Sequence, residues 1–236
     1  CLASLEGVAQ QIVVVDTNSS DGTLEIAQKY RALISQPSDW PGFGPQKNRA
    51  LALATEDWVL SLDADERLTP TLRSEILTAI HHSAKIDCFA IPRLSWYCGR
   101  FIRHSGWSPD YVDRLFKRGT ARFSDDLVHE RLIPEGAVAK LENPMLHYSF
   151  RNFSQVLSKI DRYSSASAEQ AYAQGKRSNP CKAILHGLWA FFRTYVLKAG
   201  FLDGRHGLAL AISNGEGSYY RYMKIWLLEL EDQHEN

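Results

Sequence analysis

The chain lacks several features that would narrow its class at once. It carries no net charge, with 27 Lys and Arg against 27 Asp and Glu, so the molecule as a whole has no electrostatic pull toward nucleic acid. Its four cysteines, Cys1, Cys88, Cys98 and Cys181, form neither a metal-type pair nor a dense disulfide pattern, which favours a reducing compartment. No uncharged apolar run reaches the ~18 residues needed to span a bilayer, and no signal peptide is visible. An initiator Met is also missing: Cys1-Leu2-Ala3-Ser4-Leu5 reads as the last turns of an amphipathic helix, so the start of the domain is expected upstream. What remains is an ordinary globular composition, 44% hydrophobic and 23% charged over 236 residues, enough for one substantial core with a small appendage.

The order of elements points to an α/β fold. Residues 11–15 form a β-branched apolar run, the pattern of a strand buried on both faces. A polar loop from Asp16 to Thr23 follows, then helical spacing over residues 24–30, with Asp21 or Thr23 placed to cap it. Residues 32–35 and 58–62 read as strands, 46–54 and 70–81 as helices, and 36–45 as a Pro/Gly loop. Such alternation predicts a parallel, helix-covered sheet, in which ligands bind beyond the carboxyl ends of the strands. After residue 85 the alternation stops, and short strands are expected at 88–94, 114–116, 131–133 and 138–141, the last pairing back after Glu135-Gly136. Helices are expected over 153–174, 181–201 and 218–230. The organisation is then a catalytic domain over residues 1–150, divided near residue 85, and a helical region over 151–236.

One segment carries most of the chemistry. The apolar run 58–62 ends in Asp63, Asp65 and Glu66, three carboxylates within four residues. Acidic side chains this close are costly to bury without a partner. A divalent cation is the usual partner, sharing its remaining positions with substrate phosphates. Asp16 also ends a strand, which aims it and the Asp63/Asp65 cluster at one crevice.

These motifs together, Val13 to Asp16 with Asn18 to Thr23, Gly44 to Ala50 with Lys47, Asn48 and Arg49, and Leu62 to Glu66, resemble the family 2 glycosyltransferases. The resemblance implies the nucleotide-sugar-binding GT-A fold, with a mixed, mainly parallel central sheet and a helical carboxyl-terminal extension. Val128-His129-Glu130 and the stretch around His147 are similar to the branch that builds bacterial lipopolysaccharide core, where glucose is placed on an inner-core heptose. Family members begin with a further apolar strand, so a central strand, on the order of 20 residues with its helix, is expected to precede Cys1.

From this resemblance follow the expected roles. Asp16 contacts the nucleotide or caps its own loop, the family match favouring the first, whereas Asp21 is read as a cap. Lys47, Asn48 and Arg49 steady a diphosphate or simply occupy a solvated helix face. Asp65 is expected to bind Mg²⁺ or Mn²⁺, with Asp63 on the ribose or the metal's water and His147 as a third ligand or a structural histidine. Glu66 lies behind these or is merely exposed. Glu130 is the expected base for the acceptor hydroxyl, with Asp125 and Asp126 as competitors and His129 orienting it.

Residues 93–122 hold seven Arg and Lys against two Asp, interleaved with aromatics. Arg103, Trp107 and Arg114 are the expected acceptor contacts, for aromatic faces stack on sugars and Arg pairs with phosphate. Single-stranded nucleic acid would suit such a surface, but no nucleic-acid motif accompanies it. Residues 176–226 carry eight cations against two acids around apolar and aromatic runs at 182–198 and 219–226. That composition fits helices lying in an anionic membrane surface, or a helical pair packed on the protein. The expectation is an inverting enzyme that takes a UDP-sugar, acts on lipopolysaccharide core, and works in the cytoplasm at the inner face of the inner membrane. A polyprenyl-phosphate acceptor or a non-catalytic nucleotide-sugar-binding module are the alternatives.

Overall fold

The computed structural model describes residues 1–83, 85–125 and 130–235, with side chains as far as 232. A 3₁₀ turn, Leu2–Leu5, stands where an α-helical end was expected. β1 (Val13–Val15) is followed by α1 (Thr23–Lys29) and β2 (Leu33–Ser35), and the two strands pair in parallel with Val13 opposite Leu33. A helical crossover between them makes parallel pairing possible. Asp21 accepts the Thr23 N–H at 3.0 Å just ahead of α1, but the N-cap position is Gly22 and carries no side-chain cap, so neither Asp21 nor Thr23 is the expected cap.

α2 (Phe43–Ala52) starts at Gly42, earlier than residue 46, and includes Pro45 in its first turn. Proline there loses nothing, because the first N–H groups of a helix have no partner inside it. β3 (Trp58–Leu60), the short β4 (Glu66–Arg67) and α3 (Pro70–His82) follow. Thr69 caps α3 by accepting the Leu72 N–H at 3.2 Å, with Pro70 pre-set at the first helical position. Then come β5 (Cys88–Tyr97), β6 (Arg100–Phe101), β7 (Asp110–Lys117), β8 (Ala121–Phe123), β9 (Leu132–Pro134), β10 (Val138–Lys140) and β11 (Met145–Phe150).

The main sheet runs β3-β7-β5-β11-β4, with β10 and β6 also on β5. It is mixed, but it departs from the mainly parallel arrangement expected. β3 and β5 both pair antiparallel to β7, β6 is antiparallel to β5, and β4 to β11, whereas β10 is parallel to β5. β5, β6 and β7 follow one another with no helix between them, and short links favour antiparallel neighbours. β10 pairs with β5, with Val138 opposite Cys88, and does not fold back on β9, whose partner is β8. β1 and β2 form their own two-stranded sheet.

The chain divides into two compact units, residues 1–93 with 110–147, and residues 94–109 with 148–236. The first is built on Leu72, Ile76, Ile91, Leu115 and Met145, packed between α3 and the main sheet. The second contains α4 (Phe153–Ala173), α5 (Pro180–Phe192) and α6 (Gly204–Glu235). Asn152 and Asn179 cap α4 and α5 through the N–H groups of Gln155 and Lys182. Its cores join Tyr97, Ile102, Val156 and Leu210, and, separately, Ala168 and Ala171 of α4 with Ile225 of α6. Among the described residues, no helix is long and apolar enough to cross a membrane.

Candidate active site

The acidic turn is built around its least promising member. Leaving β3, the chain closes a tight turn in which the Glu66 N–H donates to the Asp63 carbonyl at 2.9 Å. The Glu66 carboxylate reaches back to accept the Asp63 N–H at 2.9 Å. Glu66 is fully buried, and a carboxylate there requires a cation. Arg114 of β7 supplies it, its Nη2 standing 2.6 Å from both Glu66 Oε1 and Asp63 Oδ2. Arg93 of β5 lies 3.8 Å from Glu66 and also holds Asp110 at 2.6 Å.

On the other side of Asp63 stands Lys47 of α2. Its Nζ is 2.9 Å from Asp63 Oδ1 and 2.8 Å from Glu130 Oε1. The signs therefore alternate through contact along Glu130, Lys47, Asp63, Arg114, Glu66, Arg93 and Asp110. Burial acts to raise the Asp63 pKa, but the charges of Arg114 and Lys47 and their hydrogen bonds outweigh it and hold the group at about 2. The same carboxylates raise the pKa of Arg114 against its burial.

Asp65 points elsewhere. Its Oδ2 lies 3.4 Å from His147 Nε2, and β11 sets this up by pairing His147 with Glu66, next to Asp65. Burial pushes the Asp65 pKa up, but the hydrogen bond and charge of His147 leave it lowered. A carboxylate and an imidazole make a two-donor set suited to a divalent ion. Among the described residues no group of three or more His, Cys, Asp or Glu is arranged to hold a metal. The pair fits an ion that takes its other ligands from water and substrate phosphates, as Mg²⁺ commonly does.

Other expected residues fall differently. Asp16, nearly buried, accepts the Ser19 N–H at 2.9 Å and the Ser19 hydroxyl at 2.5 Å, so its carboxylate caps its own loop. Asn48, expected at the donor, has its amide engaged in both directions by the Phe123 backbone, at 3.0 and 2.9 Å, and it tethers α2 to β8. Arg49 pairs with Asp39 at 2.7 Å. Arg114, expected on an acceptor surface, is buried, because its guanidinium is the counter-charge to Glu66. Arg103 and Trp107 belong to the second unit. There the Trp107 ring packs on Phe150 and Tyr97, and the Arg103 N–H binds Asp203. Asp125 makes none of the ion pairs formed among the described residues, and Asp126 and His129 lie outside those residues.

Three features were not anticipated. Gly44 lets α2 approach the segment carrying Glu130, for a β-carbon there would sit 1.8 Å from the Ser124 carbonyl oxygen and 3.4 Å from Glu130 Cβ. Gln46 reaches Thr17 at 2.7 Å while its neighbour Lys47 reaches Asp63. α2 thus connects the loop after β1 with the loop after β3, although the two strands lie in different sheets. Asp203, buried, accepts the N–H groups of Arg103 and His104 and the Ser105 hydroxyl. The glycine beside Lys47 was a readable signal, but nothing in the sequence marked Asp203.

Comparison with known proteins fits this geometry. The chain is 29% identical to the lipopolysaccharide core biosynthesis glycosyltransferase LpsC of Rhizobium meliloti, over 94% of this chain and 87% of that protein. It is 26% identical to an uncharacterized glycosyltransferase of Rickettsia prowazekii, over 98% of this chain and 82% of the relative. A crystal structure of S. aureus TarS 1-349 in complex with UDP aligns over 95% of this chain and 82% of that one, at 18% identity and a TM-score of 0.44, a distant likeness that adds nothing to the assignment. The sequence model for glycosyl transferase family 2 matches residues 1–141, the span that carries Lys47, Asp63, Asp65 and Glu130, so the chain is a glycosyltransferase of family 2, with the α/β GT-A fold.

Proposed function

We propose that this enzyme is an inverting, metal-dependent hexosyltransferase that moves glucose from UDP-glucose to a heptose of the lipopolysaccharide inner core. It would work in the cytoplasm, peripheral to the inner face of the inner membrane. The observation that carries the catalytic part is the double contact of Lys47 with Asp63 and Glu130, at 2.9 and 2.8 Å. It joins the donor-side carboxylate to the candidate base through one cation. The Lys47 ammonium donates to the Glu130 carboxylate and fixes its position beside the donor-side acid. A donor diphosphate offers Lys47 a denser negative charge, which draws its ammonium away and releases the Glu130 carboxylate.

The transfer is a single displacement. The acceptor hydroxyl oxygen forms a bond to the anomeric carbon, the bond from that carbon to the diphosphate oxygen breaks, and its electron pair leaves with UDP. Glu130 takes the hydroxyl proton. Asp65 and His147 would hold Mg²⁺ or Mn²⁺, which supplies Lewis-acid neutralisation of the departing diphosphate. Asp63, fixed by Arg114 and Lys47, stays ionised and is placed to accept a hydrogen bond from the ribose. LpsC, a lipopolysaccharide core enzyme by its description, supports the choice of acceptor.

Mass spectrometry of core oligosaccharide from a deletion strain tests the acceptor and sugar together. The expected result is core shortened by one hexose at a heptose, restored by the wild-type chain and not by the E130Q chain. Core of normal mass, with donor-derived label in a polyprenyl fraction, would overturn the acceptor.

A further inference from the structure

We propose that the outer face of α5 and the turns that follow it form a docking surface for an anionic lipid bilayer. One face of α5 is committed to packing. Ala183 and Gly187 are buried, and Gly187 admits α6 so closely that a β-carbon would stand 3.1 Å from Tyr219 Cβ and 3.2 Å from the Gly215 carbonyl oxygen. The opposite face carries Leu185, Leu188, Trp189 and Phe192, spaced as neighbours on one side of a helix. They remain exposed, Leu185 at 67%, Leu188 at 62% and Trp189 at 54%. In the turns past the helix end Leu197 and Leu202 are exposed as well, at 56% and 54%. Single exposed apolar side chains are ordinary, but a contiguous ridge of large ones marks an interaction surface.

Charge selects the occupant. Residues 176–205 hold six Arg and Lys and one acid, Asp203, in a chain whose net charge is zero. Asp203 is buried, with its oxygens turned onto the N–H groups of Arg103 and His104. Lys182, Arg193, Lys198 and Arg205 are exposed and enter no ion pair among the described residues. The loop 98–106 joins this rim, the Ser105 N–H binding the Lys198 carbonyl at 2.8 Å and Arg100 Nη1 lying 3.5 Å from where a Gly204 β-carbon would be. A second copy of the chain would bring the same cations against one another. An anionic headgroup layer over acyl chains complements both the ridge and its rim. The second aromatic stretch expected at the membrane is partly taken up by packing, with Tyr222 stacked on His186 at 3.8 Å and Ile225 buried, so α5 and its turns carry the contact.

This surface gives physical form to the peripheral location proposed above, but its test needs neither donor nor acceptor. The purified chain is sedimented with vesicles of phosphatidylcholine alone, or with phosphatidylglycerol added. Partition onto the anionic vesicles is expected to be at least about tenfold greater, and to fall at high salt. L188E/W189E removes the ridge and K198Q/R205Q thins the rim. The first pair is expected to abolish binding, and the second to weaken it roughly fivefold per cation. All four positions are exposed, and circular dichroism confirms the fold of each variant. Equal binding to both vesicle types, or binding untouched by L188E/W189E, overturns the proposal. So does a chain that ignores vesicles and elutes as a dimer that L188E/W189E dissociates, which assigns the face to a second copy. Hexose transfer to soluble core oligosaccharide by a chain that ignores vesicles would break this inference and leave the proposed reaction standing.

Discussion

The acidic turn after β3 and the outer face of α5 treat their side chains in opposite ways. Around the turn each charge meets an opposite charge, from Glu130 through Lys47, Asp63 and Arg114 to Glu66. On α5, Leu185, Leu188, Trp189 and Phe192 face solvent. Buried charges are tolerated only when mutually satisfied, and in the first region Arg114 and Glu66 meet that condition through each other. Exposed apolar groups add little to folding, so a continuous run of them reflects binding. Chemistry is accordingly proposed for the first region and contact for the second.

Substitutions can break that contrast. The largest expected effect is on turnover by E130Q, which keeps the volume and removes the proposed base. A loss of about 10²–10⁴-fold in kcat is expected, with stability little changed because Lys47 retains Asp63. Steady-state kinetics beside a melting curve checks both halves. A kcat within threefold of wild type would move the base to Asp125 or Asp126. Next in size is R114A, which leaves the buried Glu66 with the Asp63 N–H and, as its one cation among the described residues, Arg93 at 3.8 Å. Removing one partner of a buried pair costs about 3–5 kcal/mol, read by denaturant unfolding. R114A as stable as wild type would mean that this cluster does not hold the turn.

The residues of this cluster differ in how legible they are in the sequence. Lys47, Asp63 and Asp65 lie in short motifs, so local order was enough to find them. The burial of Glu66 was illegible, because it makes sense only with Arg114, 48 positions away in sequence. α3 was readable end to end, since Thr69 and Pro70 mark its start on their own. α6 was not. Its glycines suggested a loop before residue 218, yet Gly207 and Gly215 are where the helix meets other backbone, the carbonyl oxygens of Gly200 and Gly187. Glycine marks close approach as readily as it marks a turn, and local sequence does not distinguish the two. The helix expected over 181–201 likewise ends early, in a π-type turn at Arg193–Leu197 and a left-handed Ala199.

Acid should weaken the charged region selectively. Asp63 sits at about 2 in the folded chain against its ordinary 3.8. A depressed folded value means that the unfolded chain binds the proton first, so the contribution is complete above about pH 4 and is lost as pH falls toward 2. Melting temperature measured in chelator is expected to fall across that window. K47M removes one of the two cations, so the Asp63 pKa rises toward its ordinary value and less stability is left to lose. The drop between pH 4 and 2 should then shrink. An unchanged drop would mean that Lys47 contributes nothing to holding Asp63 ionised.

The smallest expected effect is on the stability of L185S. Leu185 is 67% exposed, so removing its side chain deletes little buried area, and surface changes of this kind stay within about 0.5 kcal/mol. Helix propensity accounts for part of even that, since Ser is a somewhat poorer helix former than Leu. The same change removes one apolar group from the ridge, so vesicle binding should weaken while the melting temperature holds. A Leu185 that mattered to folding would show the reverse, a lower melting temperature with vesicle binding intact. That result would place it in a packed core and erase the distinction between the two regions, because α5 would then be satisfied within its own fold, as the Asp63 turn is.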